Sequence, residues 1–235
     1  MSRNERVFIP DVLKFYVPLA ATSVLMMITH SVISRAVSQS ANPAPALAAY
    51  TAAYSVGQIF ESPCYGMQRM GLTFIKGKSS SALITRISVS ILAVLIGAYA
   101  LAAFTPIASY IFKNLLRVPP DVYPIAVASL QVFIGWPLSS AIRSVFQAQI
   151  VLAKRTYWMT INMFARVAMM FGAALLLPRV WPNGPVGAAV LVTGITTEAA
   201  LAWAVAKFAV PRPGEDPPDE PLATGRQVLG FALPL

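Results

Sequence analysis

The sequence predicts an all-α integral membrane protein, a six-transmembrane-helix bundle followed by the start of a seventh helix, and three observations carry that reading. Of 235 residues, 57% are hydrophobic and 11% charged, and the mean hydropathy is +0.65, far more apolar than a water-soluble domain. The apolar residues gather into blocks of about 20 or more, enough for a helix to cross roughly 30 Å of hydrocarbon. The phrase Phe-x-x-Pro-Leu occurs at Phe15–Leu19 and again at Phe231–Leu235, each time entering an apolar stretch after a short charged segment. That restart marks an internal duplication, with one lobe complete and the next begun. Ten-residue polar/apolar alternation, the mark of a membrane β-barrel, is absent.

The first apolar block follows Arg3 and Arg6 and runs from about Asp11 to Ser38 with no small-residue cleavage site, so it reads as a retained helix and not as a secretion signal. An uncharged link, Ser40 to Pro45, leads into helix two, about Ala46 to Ile75. At 1.5 Å per residue this helix exceeds a perpendicular span, which predicts tilt or a bend near Pro63. Helix three covers about Leu83 to Tyr110 and leads to Ile111–Val118, where Ile111, Leu115 and Val118 fit an interface and Lys113 and Arg117 fit water.

Helix four, about Tyr123 to Leu152, is interrupted by Pro137 and ends at the basic pair Lys154 and Arg155. Helix five, about Tyr157 to Leu177, stops at Pro178, with Trp181 as an interfacial anchor. Helix six covers about Val186 to Val210. Three segments result: a six-helix lobe over 1–210, a Pro-rich acidic linker over 211–225 containing Glu215, Asp216, Asp219 and Glu220, and the start of a second lobe over 226–235. A chain that stops inside an apolar helix reads as a truncated or partial gene product.

The net charge of +9 does not form a nucleic-acid footprint, because the basic residues sit at helix ends without interleaved aromatics. They sort by side of the membrane instead. Arg3, Arg6, Lys14, Lys76, Lys78, Arg86, Lys154, Arg155, Lys207, Arg212 and Arg226 flank one side; Arg35, Lys113, Arg117 and Arg179 flank the other. The first side is therefore expected to be cytoplasmic, N-terminus included, in a multi-pass protein of the cell membrane. The single cysteine, Cys64, excludes an internal disulfide and a cysteine-based metal cluster. Its expected role is packing.

Several segments carry a resemblance: Phe15-Tyr16-Val17-Pro18-Leu19, the Ser34-Arg35 region, Ala48 through Ser55, Ser62-Pro63, and Met70 through Ile75. With the six-helix lobe, linker and restart, the chain resembles the multidrug and oligosaccharidyl-lipid flippase superfamily, and more closely the progressive ankylosis protein family. The resemblance implies the N-terminal lobe of a two-lobe transporter whose relatives move anions such as nucleotides, citrate or pyrophosphate outward. Glu61 and Arg143 map onto no motif of that family.

Ionisable groups at bilayer depth are costly unless they meet a cavity or a partner, so each is a candidate for the substrate or ion pathway. In helix two, Tyr54, Gln58, Glu61, Tyr65 and Gln68 are spaced 4, 3, 4 and 3, a polar seam on one face with Glu61 near mid-depth. The seam reads either as an interior pathway or as a packing contact between helices. In helix four, Ser139, Arg143 and Gln147 repeat every four residues behind Pro137, whose ring frees a backbone carbonyl. Arg143 and Arg166 either face a cavity or snorkel to headgroups, and Arg69, near the inner end, reads as an interface anchor.

Glu198 in helix six either pairs with Arg166 or Arg143 or binds a coupling proton. His30, the sole histidine, is either a proton switch or a hydrogen-bonded structural group, and Arg35 either guards an outer vestibule or anchors to headgroups. Arg35, Arg69, Arg143 and Arg166 outnumber the mid-membrane carboxylates, a balance that favours anions.

No Gly-rich phosphate loop, zinc-protease motif or nucleophile elbow is present, which argues against an enzyme and against ATP as the energy source. The expectation is an exporter or flippase lobe working by alternating access. It needs no bound cofactor, draws on an H+ or Na+ gradient or on exchange, and has as partners the bilayer, an anionic or lipid-linked substrate and a second lobe. The competing expectations are a non-transporting membrane scaffold or assembly subunit, and an inactive truncated transporter.

Overall fold

A computed structural model describes residues 24–25, 27–210 and 228. The Phe15–Leu19 and Phe231–Leu235 repeat, the start of helix one at Asp11 and the linker 211–225 lie outside the described residues. So does the 226–235 segment except Val228, which is helical and fully buried in a cluster with Met70, Ile75 and Ile84.

The described chain is helical, with no strand among its residues. Helix α1 covers 24–25 and 27–38 and is followed by α2 (Pro43–Phe74), α3 (Lys78–Phe104) and α4 (Pro106–Tyr110). After a π-helical turn (Ile111–Leu115) come α5 (Tyr123–Val132), α6 (Gly135–Leu152), α7 (Tyr157–Val180) and α8 (Val186–Phe208). Among the described residues, four spans are long and apolar enough to cross a membrane: α3, the α5–α6 pair, α7 and α8. Helix α2, at 32 residues, has the length but interrupts its apolar run with Gln58, Glu61, Gln68 and Arg69.

Local chemistry explains where the elements depart from expectation. Helix α3 starts at Lys78, ahead of the expected Leu83, because the Ser80 hydroxyl accepts from the backbone N–H of Lys76 (2.9 Å) and Gly77 (2.8 Å) and so closes the first turn. It does not run on to Tyr110. Pro106 forces Thr105 into an extended conformation (φ −110°, ψ 173°), and the Thr105 hydroxyl then caps α4 by accepting from Ile107 N–H. Helix α7 passes Pro178 and ends at Val180, giving up the one ladder bond that the proline nitrogen cannot donate. Likewise α2 continues unbroken past Pro63.

The expected break at Pro137 falls one turn earlier, at Phe133–Ile134. Pro137 has no N–H for the Phe133 carbonyl, which accepts from Trp136 N–H at 2.9 Å instead, tightening the turn. The Ile134 N–H in turn bonds the Gln131 carbonyl, leaving that of Leu130 without its helical donor. Tyr99 from α3 supplies one: its hydroxyl donates to the Leu130 carbonyl at 2.8 Å in the core.

Helix α8 packs between α6 and α7, and α2 lies against α5 and α6, with α3 outside them. Close approach depends on small residues, as membrane helix pairs require: a Cβ on Gly71 of α2 would lie 2.7 Å from that of Ala148 on α6. Large apolar side chains on α3 and α7 point outward, with Val94 72% and Leu176 60% exposed, as expected of surfaces meeting lipid or another bundle.

Candidate functional site

Three helices converge on one carboxylate. Glu198, on the inward face of α8, is buried, and its Oε2 accepts from Arg166 of α7 at 3.0 Å and from Arg143 of α6 at 3.4 Å. Its Oε1 accepts from the Gln147 amide at 2.9 Å. Position dictates this arrangement: Arg143 and Gln147 stand one helical turn apart on α6, so both reach the same point on α8. Beside them, Ser139 and Thr196 hydroxyls meet at 2.9 Å, a second polar tie between α6 and α8. Glu198 thus pairs with both arginines that the sequence offered as alternatives.

Next to this cluster is a small cavity of about 40 Å³, lined by His30 and Thr29 of α1, Tyr54, Glu61 and Tyr65 of α2, Trp136 and Arg143 of α6, Arg166 of α7, and Leu191 and Ile195 of α8. That volume holds about three or four waters at roughly 10–15 Å³ each. Tyr54 forms its aromatic wall, stacked on Trp136 with ring centroids 4.8 Å apart, and His30 meets the Tyr54 ring edge-on at 6.4 Å.

Glu61 is 1% exposed, and among the described residues neither of its carboxylate oxygens has a hydrogen-bond partner. Several donors near it are also unmatched: Arg143 Nε, Arg166 Nε and the Ser140 hydroxyl. Buried polar groups are seldom left so, and a cluster of them beside a water-sized cavity is the pattern of a site built to receive something.

Of the expected pathway residues, Tyr54, Glu61, Arg143, Arg166 and His30 line the cavity, and Gln147 and Glu198 join through the ion-pair cluster. Gln58 and Arg35 are exposed and lie outside it, and Arg69 is exposed as well. The expected excess of cations therefore disappears at the cavity itself, where Arg143 and Arg166 face Glu61 and Glu198. The sequence reading missed Trp136 and Ser140. The spacing Trp136, Ser140, Arg143, Gln147 (4, 3, 4) would have found them as one stripe on α6. Thr29, the neighbour of His30, carried no such signal.

No curated protein and no solved structure matches the chain significantly. The model of one family, the progressive ankylosis protein family, matches residues 4–179, about three quarters of the sequence, including α2 and the cavity residues His30, Glu61, Arg143 and Arg166. The chain, a membrane-type helical bundle with His30, Glu61, Arg143 and Arg166 inside the matched region and Glu198 beyond it, belongs to the progressive ankylosis protein family.

Proposed function

We propose that the chain is the N-terminal lobe of a secondary-active transporter that moves an anionic solute of the citrate or pyrophosphate type, or a lipid-linked anion, outward across the cell membrane by alternating access. In this reading α1 and α2 complete a six-span lobe, the N-terminus is cytoplasmic, and a second lobe closes the pathway. The observation that supports it is a pair of buried guanidiniums, Arg143 and Arg166, held by a single carboxylate beside a cavity in helices of membrane-spanning length.

A guanidinium binds carboxylate or phosphate oxygens through paired N–H groups. With no substrate, Glu198 occupies these donors and offsets the cost of two buried cations. Arg143 is the more readily released of the two, with the longer contact (3.4 against 3.0 Å) and the more exposed side chain (12% against 4%). An entering anion displaces Glu198 from Arg143 first, and the site stays neutralised throughout.

The test is efflux of radiolabelled citrate or pyrophosphate from proteoliposomes that hold the chain together with its second lobe. Flux above that of protein-free vesicles, reduced at least tenfold by Arg143→Ala while insertion is unchanged, is the expected result. Equal flux in both proteins sinks the proposal. The scaffold reading gains from the same cluster, because Glu198 already ties α6, α7 and α8 together. Cysteines placed at Tyr54 and Tyr65 separate the two, since a scaffold keeps them from polar thiol reagents.

A further inference from the structure

We propose that Glu61 is the proton-binding site of the cavity, and that the proton it takes binds together with the anion. The inference builds on the transport reading above and assigns the proton to a residue different from Glu198 or His30.

Glu198 is committed: one oxygen holds two guanidiniums and the other a glutamine amide. Glu61 is equally buried and lines a space that admits water, and among the described residues neither of its oxygens makes a hydrogen bond, the nearest donors being the neutral Ser140 hydroxyl and Trp136 indole. A carboxylate removed from water either takes a partner or takes a proton. The ionisable groups around it, from every helix packed there, are His30 of α1, Tyr54, Cys64 and Tyr65 of its own helix, Arg143 of α6, Arg166 of α7 and, behind the arginines, Glu198 of α8. A metal cation is poorly served by that company, with two guanidiniums in the same small cavity. A proton needs only one free oxygen and a water to deliver it.

The charge inventory fixes the sign of coupling. Two guanidiniums facing two carboxylates make the cluster formally neutral. When a hydronium ion in the cavity gives its proton to one Glu61 oxygen, the residue becomes a neutral acid, a water remains, and the cluster is left with one positive charge. An anion entering beside Arg143 then neutralises it. Proton and anion each favour the binding of the other, and by linkage they do so equally. The two therefore travel in the same direction, and the anion's own gradient can drive export.

Infrared difference spectroscopy on the full chain in lipid nanodiscs reads the proton without requiring transport. The expected result is a carboxylic-acid C=O band that grows as the pH is lowered, is lost in Glu61→Gln and is kept in Glu198→Gln. Exchanging gluconate for chloride, a small anion whose charge does not titrate, should enlarge the band at fixed pH in the wild type only. Should Glu61→Gln fail to fold, Glu61→Asp decides by moving the band to a new frequency. A band indifferent to both Glu61 variants, or indifferent to chloride, overturns the proposal. A band that behaves as expected in a protein without anion flux removes the transport reading and leaves the proton site standing; flux with a band independent of Glu61 does the reverse.

Discussion

Replacing Glu198 by glutamine keeps the shape of the side chain and removes its charge, which strands two guanidiniums among α6, α7 and α8. Arg166 has side-chain exposure of only 4% and, among the described residues, Glu198 as its hydrogen-bond acceptor, so it bears most of the loss. Breaking a buried ion pair from one side costs about 3–5 kcal/mol, because the remaining charge stays buried without compensation. Arg143 lines the cavity that holds Glu61 and can turn toward it, which places the expected cost near the lower end. For a chain of this size each kcal/mol lowers Tm by about 2–4 °C, so Glu198→Gln should melt roughly 6–12 °C below the wild type. Thermal unfolding in lipid nanodiscs, followed by tryptophan fluorescence, measures it. Combining Glu198→Gln with Arg166→Met removes the stranded cation and should recover at least half of the lost Tm. A single variant within about 2 °C of the wild type, or a double variant that falls as the sum of two independent losses, would refute the network as a joint stabiliser of the three helices.

Three further outcomes follow from the packing. Tyr99→Phe leaves the Leu130 carbonyl buried without a donor and should cost about 1–2 kcal/mol, measured by the same unfolding assay. Gly71→Ala drives a methyl against the Ala148 Cβ at 2.7 Å, forcing α2 and α6 apart at a cost of about 1–3 kcal/mol; a melting temperature at or above that of the wild type contradicts the close crossing. In a Cys64→Ala background, single cysteines at the exposed positions Lys78 and Asn183 should react with an impermeant thiol reagent from opposite sides of the membrane, Lys78 from the cytoplasm. Labelling of both from one side rejects the proposed orientation.

Four of the expected blocks, α3, α5–α6, α7 and α8, were legible from hydropathy alone, because bilayer thickness sets a length that a run of apolar residues either meets or does not. Their internal joints were less so. Pro106 and Pro137 announce breaks, but a proline acts on the residue before it and on the carbonyl four residues back, so the joints fall at Thr105 and at Phe133–Ile134. Helix spacing on α2 and α6 pointed to Glu61, Arg143 and Gln147 as inward groups. It could not say that Glu198 would hold Arg143 and Arg166 at once, since that depends on how α6, α7 and α8 cross. Nor could it separate Arg35 and Arg69, exposed at the bundle surface, from the two arginines inside. Periodicity identifies a face of a helix; tertiary packing decides what that face meets.

Water and substrate access to the Glu61 cavity tests the central claim most directly. With Cys64 replaced by alanine, cysteines at Tyr54 and Tyr65 should react with a polar thiol reagent in intact membranes, and citrate or pyrophosphate should slow that reaction severalfold. No reaction at either position, or a rate that neither anion changes, would contradict an anion pathway through this cluster.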